Sequence, residues 1–433
     1  MGQGESSAVC PPSHSAGDVV PELARHLVRV LLFALVYFDS RAWFTKSNFV
    51  EVPGAQEVFL TILVLYFLIA VLPKFLLRPE LSRGGWFVLT IIFSVLLFSS
   101  GGAYLVFGQP LYAGMIEQRR VLGYLIFFPI AAALRSRLVS TRTLLNYVTV
   151  AAVLCVINAG VYYLTVSSAQ AVESLVSETD ARADRTPIGT GFILISLCYV
   201  LSRYVEKPKL KWAVLWFVFV FDVIVLEQGR QTIIAVALAS AFLLIQSRAA
   251  VKQLLITSGW SFLAVLPFIW SSVVRTWQKY VFLFQLLGAG QNLRVDTIHT
   301  VMSQNLLVPH GALWAQWRDG FSAYFGPNFF LSDIGLFGEL FCYGGVLLAL
   351  LLIWYYGYLI YSVRAAEWNV VSRTCFAAIF ILASLHIFQP VLEHGGFDVG
   401  ILLALLGSER RAEFVPRTEL LSNPDEWVQP QGA

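Results

Sequence analysis

A chain of 433 residues that is 57% hydrophobic and 13% charged, with mean hydropathy +0.70, reads as an integral membrane protein, because a soluble domain carries roughly 25% charge. The net charge of +3 makes no case for nucleic acid, since the cations fall mainly in short connections between apolar segments. Cys10 lies in the polar head and Cys155, Cys198, Cys342 and Cys375 lie in apolar runs, with no CxxC and no Cys/His pair at metal spacing. Neither zinc nor a disulfide is expected.

Residues 1–20 are polar and rich in Ser, Gly and Pro, and they lack a basic stretch leading into a cleavable apolar segment. They are expected to form a disordered cytoplasmic head and not a signal peptide. Spanning the hydrocarbon takes about 20 apolar residues. Segments of that kind lie near 22–39, 57–73, 85–103, 121–135, 144–165, 187–203, 211–228, 232–247, 253–273, 336–361, 374–391 and 396–408. The expected fold is therefore all-α: a polytopic membrane domain over 21–408 with about 12 transmembrane helices. One long extracytoplasmic loop is expected at 274–335 and a cytoplasmic tail at 409–433. The last segment is short and carries Asp398, which suits a partly re-entrant helix.

Charge asymmetry orients these spans. With both termini inside, most Lys and Arg fall in cytoplasmic segments, such as Lys207, Lys209 and Lys211. Short outer connections then hold Arg41, Lys46, Arg119, Arg120, Arg182, Arg185 and Arg230.

The excursion at 274–335 gathers Arg275, Arg294, His299, His310, Arg318 and Asp333, interleaved with Trp277, Trp314, Trp317, Tyr324 and Phe325. A connection of more than about 15 residues is functional or disordered, and this aromatic content argues against disorder. Arg and aromatic rings together suit a sugar or phosphate ligand, although an interfacial aromatic belt has the same composition. Asp296 lies three residues before His299, so it is placed to orient the imidazole. Asp333 stands where the chain re-enters the membrane, as a base toward a hydroxyl or, with Ser332, as a helix cap.

Outside the excursion, Arg230 follows Glu227 and Gly229 in the tight turn between two spans, where it either pairs with Glu227 or binds an anion. Arg119 and Arg120 open the fourth span on the side the charge rule disfavours, which suits lipid headgroups or a phosphate-bearing ligand. His386 reads as a buried polar residue bonded to a neighbouring helix, and the turn Glu393-His394-Gly395-Gly396 is placed to line the same cavity as the loop. The chain shows no Walker or Rossmann glycine pattern, GxSxG, HExxH or DxD-like pair, so no cofactor and no metal is expected.

The order of parts resembles the O-antigen polymerase and O-antigen ligase superfamily of bacterial inner-membrane glycan enzymes. The likeness rests on about twelve spans and the late outer loop. It also rests on the hairpin Glu227-Gln228-Gly229-Arg230-Gln231-Thr232, and on Ser332-Asp333-Ile334-Gly335 leading to Tyr343-Gly344-Gly345. The resemblance implies transfer of a glycan from a polyprenyl-pyrophosphate-linked oligosaccharide to an acceptor sugar at the outer face, without nucleotide or metal. Membrane lipids, a chain-length regulator and a flippase are the implied partners. Arg230 then matches the hairpin arginine that contacts pyrophosphate, with Arg294 and next Arg318 as its partner, and Arg275, Arg119 and Arg120 as further contacts. Asp333 and His299 are the catalytic candidates. The ligase branch places a histidine where Asp333 stands, which favours a repeat-unit polymerase. The polymerase spacing from Arg230 meets Ala241 where glycine is expected. A ligase-type transferase and a twelve-helix transporter are the alternatives, the latter disfavoured by the absence of a visible repeat.

Overall fold

The computed structural model describes residues 22–40, 55–77, 81–174, 188–227, 229–247, 249, 251–253, 274, 293–326, 329–331 and 334–409, with backbone alone at 163–174, 230 and 293. Among them every regular element is helical. In chain order these are α1 (Glu22–Ser40), α2 (Ala55–Leu77), α3 (Arg83–Phe107) and α4 (Leu111–Glu117). A 3-10 segment, Arg119–Ile126, continues into α5 (Phe127–Arg135). Next come α6 (Thr141–Ser174), α7 (Thr190–Glu206), α8 (Leu210–Phe221) with a π-helical extension Asp222–Glu227, and α9 (Arg230–Ile245). The second half holds α10 (Leu293–Met302), α11 (Ser322–Phe325), α12 (Leu336–Tyr343), α13 (Gly345–Ala365), α14 (Val370–Leu385), α15 (Val391–His394) and α16 (Gly396–Ser408).

Helix covers most of each apolar stretch read from the sequence except 253–273, of which all but Gln253 lies outside the described residues. Four helical segments, 55–77, 83–107, 141–162 and 345–365, are long and apolar enough to cross a membrane, and three shorter apolar helices accompany them. Large side chains such as Ile62, Ile69, Phe93, Leu105, Leu350 and Ile353 point outward and exposed along these helices. Apolar surface of that extent is what lipid covers and water does not. The protein is membrane-embedded.

Local chemistry fixes several boundaries. The Ser82 hydroxyl accepts from Gly85 N at 3.2 Å and starts α3, and Gly108 in the left-handed region (φ 73°) ends it. Asn369 and Ser372 form a reciprocal capping box at the start of α14. The stretch 336–361 is not one continuous span: Gly344, at φ 72°, breaks it into α12 and α13. The helix cap expected at Ser332 or Asp333 is instead Gly335, at φ 45° and ψ −110°, with no side-chain cap. A Cβ there would collide with the backbone of Phe388 and Gln389, so only glycine lets the two chain segments approach this closely.

Packing radiates from α7, which contacts α6, α8, α9 and α14. α16 lies against the 3-10 segment and α5. Gly396 and Gly400 make that approach possible, since an added Cβ would stand 2.9 Å from Tyr124 N and 2.7 Å from the Ile126 side chain. The bare Gly191 of α7 likewise accommodates the Asp398 carboxylate, which fills the place a Cβ would take.

The described part of the excursion does more than cap the bundle. α10 packs on α12 through its buried Thr297 and Val301. The chain from 306 to 314 then threads between α3 and α12. His310 N donates to Phe341 O and Gly311 N to Cys342 O, each at 3.0 Å, and Gly345 N donates to Leu306 O at 2.6 Å.

Candidate functional site

The threaded segment is held by side chains of α3 and the turn after it. Buried Gln109 donates through Nε2 to Ala312 O (3.0 Å) and accepts from Trp314 N through Oε1 (2.8 Å), and Ser99 Oγ accepts from Ala312 N (3.0 Å). Two glycines permit the contact. A Cβ on Gly102 would stand 2.7 Å from Pro309 O, and one on Gly311 (φ 75°) would overlap Ser99 O. The His310 ring stacks on Phe341 at 4.5 Å between centroids, and its burial holds the imidazole pKa below the usual histidine value.

This arrangement walls off a cavity of ≈ 560 Å³, within the range of roughly 300–1,000 Å³ typical of small-molecule sites. One wall is Glu117, Gln118, Arg119 and Arg120, from the end of α4 and the start of the 3-10 segment. The facing residues come from the excursion and include Trp314, Gln316, Asp319, Phe321, Phe329 and Phe330. Glu339 and Cys342 of α12, with Pro390, Glu393 and His394 of the α15 turn, complete the lining.

Polar contacts knit these walls together. Gln118 Nε2 bridges Ser99 Oγ (3.2 Å) and Glu393 Oε1 (2.9 Å), and Tyr343 OH donates to the same Glu393 oxygen (3.0 Å). Glu339 contacts His386 Nε2 through Oε2 and accepts from Leu392 N through Oε1 (3.0 Å), and Tyr356 OH meets His386 Nδ1. Arg119 bonds Glu57 Oε1 (3.0 Å) and Ile116 O (2.9 Å), and Arg120 Nη1 meets His394 Nε2 at 3.2 Å. Burial pushes the Glu393 carboxyl up to about 7, with nearby Glu339 adding to the shift and the bonds from Gln118 and Tyr343 opposing it. Glu117 is also raised by burial, against the pull of Arg119 and Arg120.

The residues singled out from sequence are distributed unevenly around this cavity. Arg119 and Arg120 line it, as do Trp314 and the Glu393-His394 turn. Arg318 (φ 47°) stacks over the Trp317 ring at 5.0 Å, beside the lining residue Asp319 (φ 61°). Two non-glycine residues in succession in the left-handed region mark a strained turn. Arg294 and His299 lie on the exposed face of α10, outside the lining, and no ion pair joins Asp296 to His299. Arg230 opens α9, but its side chain lies outside the described residues, as do Arg275 and Asp333. His386 is buried and bonded across to α12, as its sequence context suggests.

No family model, curated protein or solved structure matches the chain.

Sequence reasoning passed over Glu117, Gln118 and Glu339. The first two precede Arg119 directly, so a run of four polar residues between apolar segments was the available signal. Glu339 carried a stronger one, because a carboxylate inside an apolar span needs a partner or a cavity. Here it has both.

Proposed function

We propose that the protein is a membrane glycosyltransferase that joins polyprenyl-pyrophosphate-linked oligosaccharide repeat units into a surface polysaccharide, at the outer face of a bacterial inner membrane. The supporting observation is the mixed lining of the cavity: adjacent arginines, four carboxylates and several aromatic rings around one space. Arginine forks suit a pyrophosphate, whose charge grows as it leaves. Carboxylates and Gln118 accept and donate to sugar hydroxyls, and the ring of Trp314 offers an apolar face to a sugar's C–H side. A lipid carrier brings such a donor to a membrane-embedded cavity without an energy source in the protein itself.

In this reading both termini are cytoplasmic, twelve spans cross the bilayer, and the excursion at 274–335 is extracytoplasmic. Arg119 and Arg120 take the pyrophosphate-binding place beside whatever Arg230 contributes from α9. The proton acceptor is sought among the cavity carboxylates. A flippase delivers the donor, and a chain-length regulator acts on the product.

The test is complementation in the native host. Deleting the chain leaves single lipid-linked repeats on the outer face and no long polymer, and an R119E/R120E double variant at normal abundance fails to restore it. Long polymer in the deletion strain overturns the reading, and repeats trapped on the cytoplasmic face identify a transporter.

A further inference from the structure

We propose that Glu393 is the general base of this transfer, taking the proton of the acceptor hydroxyl as that oxygen attacks; the assignment rests on the glycosyltransferase reading above. Geometry selects it among the four carboxylates of the cavity, Glu117, Asp319, Glu339 and Glu393. Its Oε1 is held from two separate elements, by Gln118 Nε2 at 2.9 Å and Tyr343 OH at 3.0 Å, and its Oε2 takes no hydrogen bond from a described residue. The side chain keeps part of its surface on the cavity. One fixed oxygen and one open oxygen is the arrangement a positioned proton acceptor needs.

The other carboxylates are placed differently. Glu339 is 1% exposed and uses one oxygen on His386 and the other on Leu392 N, so it fixes the residue next to Glu393. It is a positioning residue for that turn. Glu117 ends α4 and Asp319 stands exposed in the turn of the excursion, and among the described residues neither carboxylate takes a hydrogen bond from another wall of the cavity. His299, the imidazole candidate from sequence, stands outside the lining.

The charged and titratable groups around Glu393 are Glu117, Arg119 and Arg120 from the wall before α5, Asp319 from the excursion, Glu339, Cys342 and the bonded Tyr343 from α12, and His394 from its own turn. Burial and the neighbouring carboxylates bring its proton affinity near neutrality, which suits a base that must both accept and release a proton. In the step itself, the acceptor O–H bond breaks and its proton passes to Glu393. The freed oxygen bonds to the donor's anomeric carbon as the bond from that carbon to the carrier pyrophosphate breaks, with the electron pair leaving on the pyrophosphate. Glu393 then returns the proton to water.

The experiment follows polymer formation in native-host membranes carrying their own lipid-linked repeats, from mildly acidic to mildly alkaline pH. Glu393→Gln at normal abundance is expected to lower the maximal rate by about 100-fold or more, with the apparent KM for the lipid-linked unit little changed. It should also abolish the rise of rate with pH. Tyr343→Phe keeps the carboxylate but removes a donor to its ionised form, so that rise should move to higher pH. An E393Q protein that polymerises at the wild-type rate overturns the assignment, and so does a Tyr343→Phe profile identical to wild type. If E393Q is active while R119E/R120E is inactive, only the base is misassigned; if both are active, the cavity reading itself fails.

Discussion

Glu339 and His386 face each other as a buried pair where α12 meets the turn after α14, with side chains 0% and 4% exposed. The contact joins two elements 47 residues apart, and the second carboxylate oxygen extends it to the backbone of α15. Removing one member leaves the other polar, buried and without its partner, a loss of roughly 3–5 kcal/mol in comparable pairs. His386→Ala and Glu339→Ala should therefore each lower the melting temperature of the detergent-purified protein clearly. Glu339→Gln, which can still accept from Leu392 N, should lose less. A His386→Ala protein that melts with the wild type would show that the pair contributes nothing to stability.

Arg119 and Arg120 should separate binding from stability. The Arg119–Glu57 pair is partly exposed, with 35% and 49% of the side chains accessible, so breaking it costs under about 1 kcal/mol. A charge-assisted bond to a pyrophosphate is worth roughly 1.5–3 kcal/mol, or about 10- to 150-fold in affinity. Under the proposed function, Arg119→Ala and Arg120→Ala should each raise the apparent KM for the lipid-linked donor by that factor and leave the melting temperature nearly unchanged. Equal KM values in wild type and both variants would remove these residues from the donor site.

The helical, membrane-embedded character was legible because it rests on composition and on runs of apolar residues, which need no tertiary knowledge. Arg119 and Arg120 were legible too, since two adjacent cations between apolar segments stand out. Gly335 as the start of α12 was not, because what selects glycine there is the backbone of Phe388 and Gln389, more than fifty residues away. The threading of 306–314 was hidden for the same reason. Its anchors Ser99 and Gln109 sit two hundred residues earlier, and a single serine and a single glutamine carry no pattern. The excursion's charged residues drew attention by number, yet the exposed Arg294 and His299 stand outside the cavity lining while the less conspicuous Asp319 and Gln316 belong to it.

Gly311 should tolerate no side chain. It holds φ 75°, and an added Cβ would overlap Ser99 O and Ala103 N. The left-handed backbone alone costs a non-glycine residue roughly 1–2 kcal/mol, and a collision with the backbone of α3 has no flexible side chain to absorb it. Gly311→Ala is expected to unseat the segment beside Gln109 and expose the excursion to limited proteolysis, with loss of polymer formation under the proposed function. Gly357→Ala is the control, since open space surrounds it on α13. Protease resistance equal to wild type in Gly311→Ala would mean the segment is not seated as described.

The raised carboxyl of Glu393 carries a sign that calorimetry can read. Its ordinary value is 4.5 and its folded value about 7, so between those pH values the folded state binds a proton that the unfolded state has released. Stability therefore falls as pH rises through this window, being fully present below 4.5 and lost above about 7. Glu117, raised by burial as well, acts in the same direction. Melting temperature of the purified protein should decline across the window, and Glu393→Gln, which cannot titrate, should flatten most of that decline. If E393Q retains the full wild-type slope, the titration belongs to other groups and burial does not raise the proton affinity of Glu393.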